Sequence, residues 1–324
     1  MVVTVTTDLQ SNHIQVSAKN QDHLLRQRLA LLTSHLVVAL VALVAIGGAT
    51  RVMEAGLACP DWPLCYGRLL PGRQMNLQVF LEWFHRLDAF VVGVALLVLT
   101  AASIFWRRGL PAWLPWLAGG SLLLVIVQGA LGALTVTQLL AAPLVTAHLI
   151  TALLLVALTS GLYQRLAMVN MRVDGPPVWW QVLANTALLL VFAQCLLGGS
   201  MASQWAADQC LSSGSGCRWL LSHRQVAMPA ALAVLTLAAA TPLLPAGQGQ
   251  LPALAQGAAV LMLAQVALGI WTLRLQLQAP LVTIAHQLMA ALLVGMLAAV
   301  VARSLGHFGQ SLSITPISPE VAHG

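Results

Sequence analysis

Residues 128–148 read QGALGALTVTQLLAAPLVTAH, and residues 265–286 read QVALGIWTLRLQLQAPLVTIAH. A glutamine, Ala-Leu-Gly, a threonine and Ala-Pro-Leu-Val-Thr recur in register 137 residues apart. Each stretch holds two apolar runs joined by a short break, and each ends on a histidine, His148 or His286. A duplicated pair of apolar segments predicts a duplicated fold. One irregularity interrupts it: His148 lies five residues after Pro143, whereas His286 lies six after Pro280. A shift of one residue turns a side chain by about 100° on a helix, so the two histidines need not be geometric counterparts.

Working outward, the repeat continues upstream. His85-Arg86, inside Glu82-Trp83-Phe84-His85-Arg86-Leu87-Asp88, is echoed by His223-Arg224, and each of these histidines precedes the later one by 63 residues. Before them, Gly47-Gly48 and Gly198-Gly199 each close an apolar run and lead into a segment with a cysteine pair.

The composition fixes the class. The chain is 59% apolar and 7% charged, where soluble domains carry roughly a quarter charged residues. Runs long enough to cross a bilayer fall at 29–49, 80–105, 112–135, 143–163, 179–201, 219–240, 251–273 and 281–303. Backbone polar groups must be satisfied inside lipid, so these runs predict helices; the alternating pattern of a membrane barrel is absent. The expected fold is all-α, an integral membrane protein of eight transmembrane helices. It divides into two four-helix halves, 29–165 and 179–303, joined by a linker at 166–178 that contains Asp174-Gly175-Pro176-Pro177. An even number of spans in each half gives both the same orientation, a parallel repeat.

Basic residues set the expected orientation. Lys19, Arg26, Arg28, Arg107, Arg108, Arg165, Arg172 and Arg303 share one side, which is assigned to the cytoplasm together with both termini. Arg51, Arg68, Arg73, Arg218 and Arg274 lie opposite, with Arg86 and Arg224 just inside helix mouths. The formal net charge of +6 is thus read as topology; no loop interleaves basic and aromatic residues as a nucleic-acid surface would. Residues 1–28 are expected to form an irregular cytoplasmic tail without the apolar core of a signal peptide, and 304–324 a weakly structured second tail. Cys59 and Cys65 (ACPDWPLCYG) and Cys210 and Cys217 (DQCLSSGSGC) fall on the external side, where disulfides persist. Pairing within each loop is preferred to zinc; cross-loop pairing stays open. Cys195 reads as a small buried apolar residue.

His85, His148, His223 and His286 open spans that run from outside to inside, and so lie at one depth, toward the outer leaflet. Ionisable groups inside a membrane mark functional sites, although a single histidine on an apolar face is as often a hydrogen-bonded core residue. His13, His23, His35, His307 and His323 receive that plainer reading. Two histidines from facing helices, without carboxylate or thiolate ligands nearby, suit the axial positions of haem iron; zinc would call for three or four ligands. Arg86 and Arg224 could pair with haem propionates or extend toward the interface. Gly47, Gly132, Gly198 and Gly269 would allow close helix approach, make room for a macrocycle, or serve ordinary small-residue packing. The halves differ in one respect: Glu82 and Asp88 correspond to Leu220 and Val226. A carboxylate one turn from a histidine can serve as base when protons leave an oxidised carbon; its plainer role is an ion pair with Arg86. The expectation is a reaction site in the first half and a resident bis-histidine haem in the second.

The EWFHR motif, the second His-Arg, APLVTAH, the loop cysteine pairs and eight spans together resemble the haem A synthase family, over about residues 30–303. That resemblance implies oxidation of the C8 methyl group of haem O to a formyl group through hydroxylated intermediates. It also implies haem b held by His223 and His286, haem O near His85 and His148, a catalytic role for Glu82, and residence in the cell membrane. Contact with haem O synthase, with terminal oxidase assembly and with further copies of the chain is left open. A di-haem quinol-oxidising cytochrome and a haem transporter are the alternative readings.

Overall fold

The computed structural model describes residues 2–168, 175–203, 210 and 218–305. Among them every long element is an α-helix: α1 (Val2–Val52), α2 (Leu77–Phe105), α3 (Leu114–Thr137), α4 (Ala142–Ala167), α5 (Val178–Ser203), α6 (Arg218–Ala239), α7 (Leu251–Arg274) and α8 (Pro280–Ser304). Short 3-10 turns occupy Gly72–Gln74 and Thr241–Leu243. All eight helices are long and apolar enough to cross a membrane, α1 through its Asn20–Val52 portion. This is an all-α protein of eight membrane spans.

Local chemistry sets the helix ends. The Asn76 side chain accepts the Val79 N–H at 2.9 Å and starts α2, satisfying a donor the first turn would leave bare. Prolines at the first or second position open α3, α4, α7 and α8, where a missing N–H costs nothing. At the N-terminus the expected irregular tail is instead helical back to Val2. Residues 2–46 contain neither proline nor glycine, so nothing interrupts the helix once the apolar run has nucleated it.

The helices form two cycles. In the first, α1 contacts α2, α2 contacts α3, α3 contacts α4 and α4 returns to α1; α5 to α8 close in the same order. Leu96, Leu99, Leu114, Leu153 and Leu155 fill the first cycle, and Trp180, Leu237, Leu251, Leu293 and Leu297 the second. Contacts of α4 with α8, α1 with α8 and α4 with α5 join them. The α4–α8 seam is built from small residues. Gly161 faces the Ala302 methyl, Gly295 faces Val156, and Ser160 Oγ donates to the Gly295 carbonyl at 2.7 Å. Close approach of this kind is how helices associate in lipid, where apolar burial alone gives little drive. Further along, Arg303 Nε donates to Gln164 Oε1 at 2.6 Å, both residues being buried.

The breaks before α4 and α8 share a conformation. Leu139 and Leu140 take φ of 49° and 60°, and Gln276 and Leu277 take 49° and 63°. Side chains other than glycine pay roughly 1–2 kcal/mol each in this left-handed region. The same turn at both places delivers the chain into the two helices that carry the later histidines. The irregularity between Pro143 and Pro280 is absorbed here: α4 begins at Ala142 and α8 at Pro280, so each histidine stands six residues beyond its helix start.

Arg303→Ala would strand Gln164 in the seam. We expect it to lower unfolding stability by about 1.5–3 kcal/mol, the range for a hydrogen bond to a charged group, measured by detergent-solubilised thermal or denaturant unfolding.

Candidate functional site

The sequence-predicted histidines sit in matching notches. A Cβ placed on Gly47 of α1 would meet Cε1 of His85 at 2.9 Å, and one on Gly132 of α3 would meet Cε1 of His148 at 3.3 Å. On Gly198 of α5 it would meet Cε1 of His223 at 2.9 Å, and on Gly269 of α7 Cε1 of His286 at 3.0 Å. Carbon atoms pack at about 3.5–4.0 Å, so each odd helix yields its glycine to the imidazole of the next helix. At each of these glycines the close approach is made by a histidine ring.

A second partner lies one turn before three of the glycines, where sequence reasoning had not placed a functional residue. Gln128 Nε2 donates to the His148 carbonyl at 2.9 Å, while Gln128 Oε1 accepts from Thr151. Gln194 Nε2 lies 3.0 Å from Nδ1 of His223 and donates to the His223 carbonyl at 2.7 Å. Gln265 Nε2 lies 3.3 Å from Nε2 of His286, and the Gln265 carbonyl 3.1 Å from its Nδ1. The signal was present as Gln-x-x-x-Gly in QGALG, QCLLG and QVALG. At the first notch the corresponding residue is Leu43, whose main chain faces the His85 ring.

The rings are brought together in the pairs expected. His85 and His148 have centroids 6.4 Å apart with planes at 66°, and His223 and His286 stand near one another. An iron bound through nitrogen to both rings, at the ~2 Å of imidazole–metal bonds, needs centroids about 6 Å apart. Nδ1 of His85 and Nδ1 of His148 are buried without a hydrogen-bond partner. Among the described residues no group of three or more His, Cys, Asp or Glu converges, so each donor set is a pair, which suits the two axial positions of a haem. The residues present therefore fit that group.

The second glycine of each doublet reaches across the halves. A Cβ on Gly48 of α1 would run into the Gln287 carboxamide of α8, and one on Gly199 of α5 would meet Leu149 of α4 at 2.9 Å. Gln287 and Leu149 each follow a histidine, so the residue beside one half's second histidine is seated against the helix that cradles the other half's first histidine.

Glu82 is buried and faces the loop rather than open space. Its Oε2 accepts the Cys59 N–H at 2.7 Å, and its Oε1 accepts Arg86 Nη2 at 2.5 Å. Arg86 also donates to the carbonyls of Asp61 and Leu64 at 2.6 Å each, and to Cys59 at 3.4 Å. These bonds staple the loop closed by the Cys59–Cys65 disulfide onto α2, one residue from His85. Within that loop Asp61 accepts the N–H groups of Tyr66 and Gly67 at 2.6 and 2.8 Å; the Gly67 bond foremost holds its carboxyl below the usual range. Arg86 thus spends four donations on the loop and on Glu82, whereas Arg224 is exposed. Cys210 is disulfide-bonded; Cys217, its expected partner, lies outside the described residues. Cys195 is a free thiol packed against both cores. His35 Nδ1 lies 2.8 Å from the Leu31 carbonyl of its own helix, as a plain structural histidine would.

If the glycine notches exist for the rings, Gly198→Ala and Gly269→Ala should cut the tetrapyrrole bound per purified chain several-fold. Gly93→Ala on α2, where an added Cβ meets nothing within 4 Å, should leave the absorbance of the bound pigment unchanged.

Comparison with known proteins gives one consistent result. The family model COX15-CtaA, described as cytochrome oxidase assembly protein, matches residues 27–298. A haem A synthase of Sphingopyxis alaskensis is 29% identical over 342 residues, covering 86% of this chain and 91% of that protein. A haem A synthase of Shewanella oneidensis is 32% identical over 194 residues, covering 54% of this chain and 57% of that protein, so this second alignment spans little more than half of the relative. A protoheme IX farnesyltransferase of Halobacterium salinarum is 33% identical over 102 residues, covering 32% of this chain and 22% of that protein.

Proposed function

This chain belongs to the COX15-CtaA family of cytochrome oxidase assembly proteins, and we propose that it acts in haem A biosynthesis as a membrane oxidoreductase that converts haem O to haem A. The observation that carries the reading is the pairing of His85 with His148 and of His223 with His286 in glycine notches, combined with a carboxylate beside only the first pair. In this reading residues 29–165 receive haem O between His85 and His148. Residues 179–303 hold haem b between His223 and His286, as a parallel copy of the first half. Haem b, when bound, supplies one-electron transfer.

The protein's own groups have separable tasks. His85 and His148 orient the substrate ring. The surrounding helices exclude water, which strengthens each electrostatic contact. Glu82, positioned by Arg86 and the Cys59 N–H, takes the proton released as the C8 methyl is oxidised to the formyl stage. Arg86 then acts chiefly as the clamp of the disulfide loop, leaving exposed Arg224 to meet a propionate from the second site. The protein lies in the cell membrane with both termini in the cytoplasm and the histidines toward the outer leaflet, which sets the disulfide loop in an oxidising compartment. A di-haem quinol-oxidising cytochrome is the second reading, favoured by the likeness of the notches in the two halves; two equivalents of haem b in porphyrin extracted from purified protein would select it.

Glu82→Gln should leave the haem b absorbance intact while product analysis by mass shows haem O derivatives halted before the formyl stage. An unchanged yield of haem A would restrict Glu82 to anchoring the loop. His223→Ala or His286→Ala should instead abolish the bound haem b spectrum.

A further inference from the structure

Beside the linked pair of Glu82 and Arg86, one more charged side chain stands at the mouth of the first cycle. Arg51 lies in the last turn of α1, four residues beyond Gly47 and three beyond Gly48. At 100° and 1.5 Å per residue, it points between the directions of those two glycines and about 6 Å beyond Gly47 along the axis. Gly47 faces the His85 ring and Gly48 faces the Gln287 carboxamide of α8, so Arg51 is directed into the bundle above the His85 notch. The Cα–Cβ bond of a helical residue tilts toward the helix N-terminus, which here starts the side chain back toward that notch. Arg51 is half-buried, whereas Arg68 and Arg73 of the following loop are exposed.

The guanidinium has no counter-charge. Among the described residues the one ion pair is Arg86 with Glu82, and the Arg51 side chain makes no hydrogen bond. Glu54, the acid nearest to it in sequence, is exposed. The carbonyl end of α1 favours a cation, but a side chain extended into water would serve that end equally well. A cation drawn inward without a partner is costly. Nor is the charge part of the repeated plan: Val136, Ala202 and Leu273 stand four residues beyond Gly132, Gly198 and Gly269.

From this we infer that Arg51 is the carboxylate anchor of the first site, taking a propionate of the tetrapyrrole held between His85 and His148. The inference rests on the proposed function, in which that site receives haem O. Arg86, although adjacent to His85, spends its donors on Glu82 and on loop carbonyls. The Arg51 fork matches a carboxylate with two parallel N–H donors, and each group supplies the charge the other lacks. Two axial histidines alone leave a ring free to turn about the axis through its iron. A propionate fixed at one edge removes that freedom and decides which edge each neighbouring residue meets.

The test is pigment binding, read apart from turnover. Detergent-purified chain is titrated with haem b and, separately, with haem b dimethyl ester, whose propionates carry no charge. The absorbance change that is lost in His148→Ala belongs to the first site. There the native chain should bind haem b roughly tenfold to a hundredfold more tightly than the ester, the range that a hydrogen bond to a charged group corresponds to. Arg51→Gln should weaken haem b by that factor and leave ester binding unchanged, which also shows the site intact; Arg51→Lys should restore part of the preference. An Arg51→Gln chain that keeps the native preference overturns the inference. So does a native chain that binds haem b and its ester alike, the result expected if the guanidinium served a lipid phosphate instead. Failure of the synthase reading is seen separately, as native protein that turns over no haem O whatever its preference between the two pigments.

Discussion

An imidazole buried between two membrane helices needs a hole, and close-packed side chains supply none. Side chains of ordinary size keep helix axes about 8–10 Å apart, and a ring projecting from one helix then strikes the next. Glycine removes the obstacle at Gly47, Gly132, Gly198 and Gly269. For His223 and His286 a carboxamide from the same helix, one turn earlier, also reaches the ring. Much else in the bundle follows from the need to bring each glycine opposite its histidine, including the paired left-handed turns before α4 and α8 and the identical distance from helix start to histidine in both.

What was legible in the sequence was what depends on one segment at a time. The eight spans could be read because apolar length decides them, and the histidine pairs because the offset between copies is visible in the chain. The glutamines were equally visible, yet their part depends on which face of α3, α5 or α7 meets the next helix, and that is settled by packing between helices. The direction of Arg86 was hidden for the same reason. From spacing alone it pairs with Glu82, while its other donations go to carbonyls 22 to 27 residues away, in a loop whose path no periodicity describes. The helical N-terminus was missed because polar composition argues against burial, not against helix, and residues without proline or glycine continue a helix already begun.

The asymmetry between the halves is concentrated around His85. On one side Leu43 precedes its notch glycine where α3, α5 and α7 carry a glutamine. On the other, its neighbours Glu82 and Arg86 are tied to a disulfide-closed loop, where the second half has Leu220 in place of the acid. Glu82 has both carboxylate oxygens occupied, by the Cys59 N–H and by Arg86. A buried carboxylate with neither partner would be costly to ionise. The loop and the acid therefore depend on each other: the acid pins the loop, and the loop's N–H gives the acid a hydrogen-bond partner beside His85.

The cross-half contacts extend this coupling to the whole molecule. Gly47 receives the ring of His85 and its neighbour Gly48 receives Gln287, the residue after His286; Gly198 receives His223 and Gly199 receives Leu149, the residue after His148. A shift of one histidine-bearing helix along its axis would thus press on the helix that cradles the other half's first histidine. Packed interiors transmit such displacements because they have little free volume to absorb them. The pair is unequal, a carboxamide on one side and an aliphatic chain on the other. The two halves, touching through their histidine-bearing helices, therefore differ at the contacts they share while keeping the same order of helix contacts.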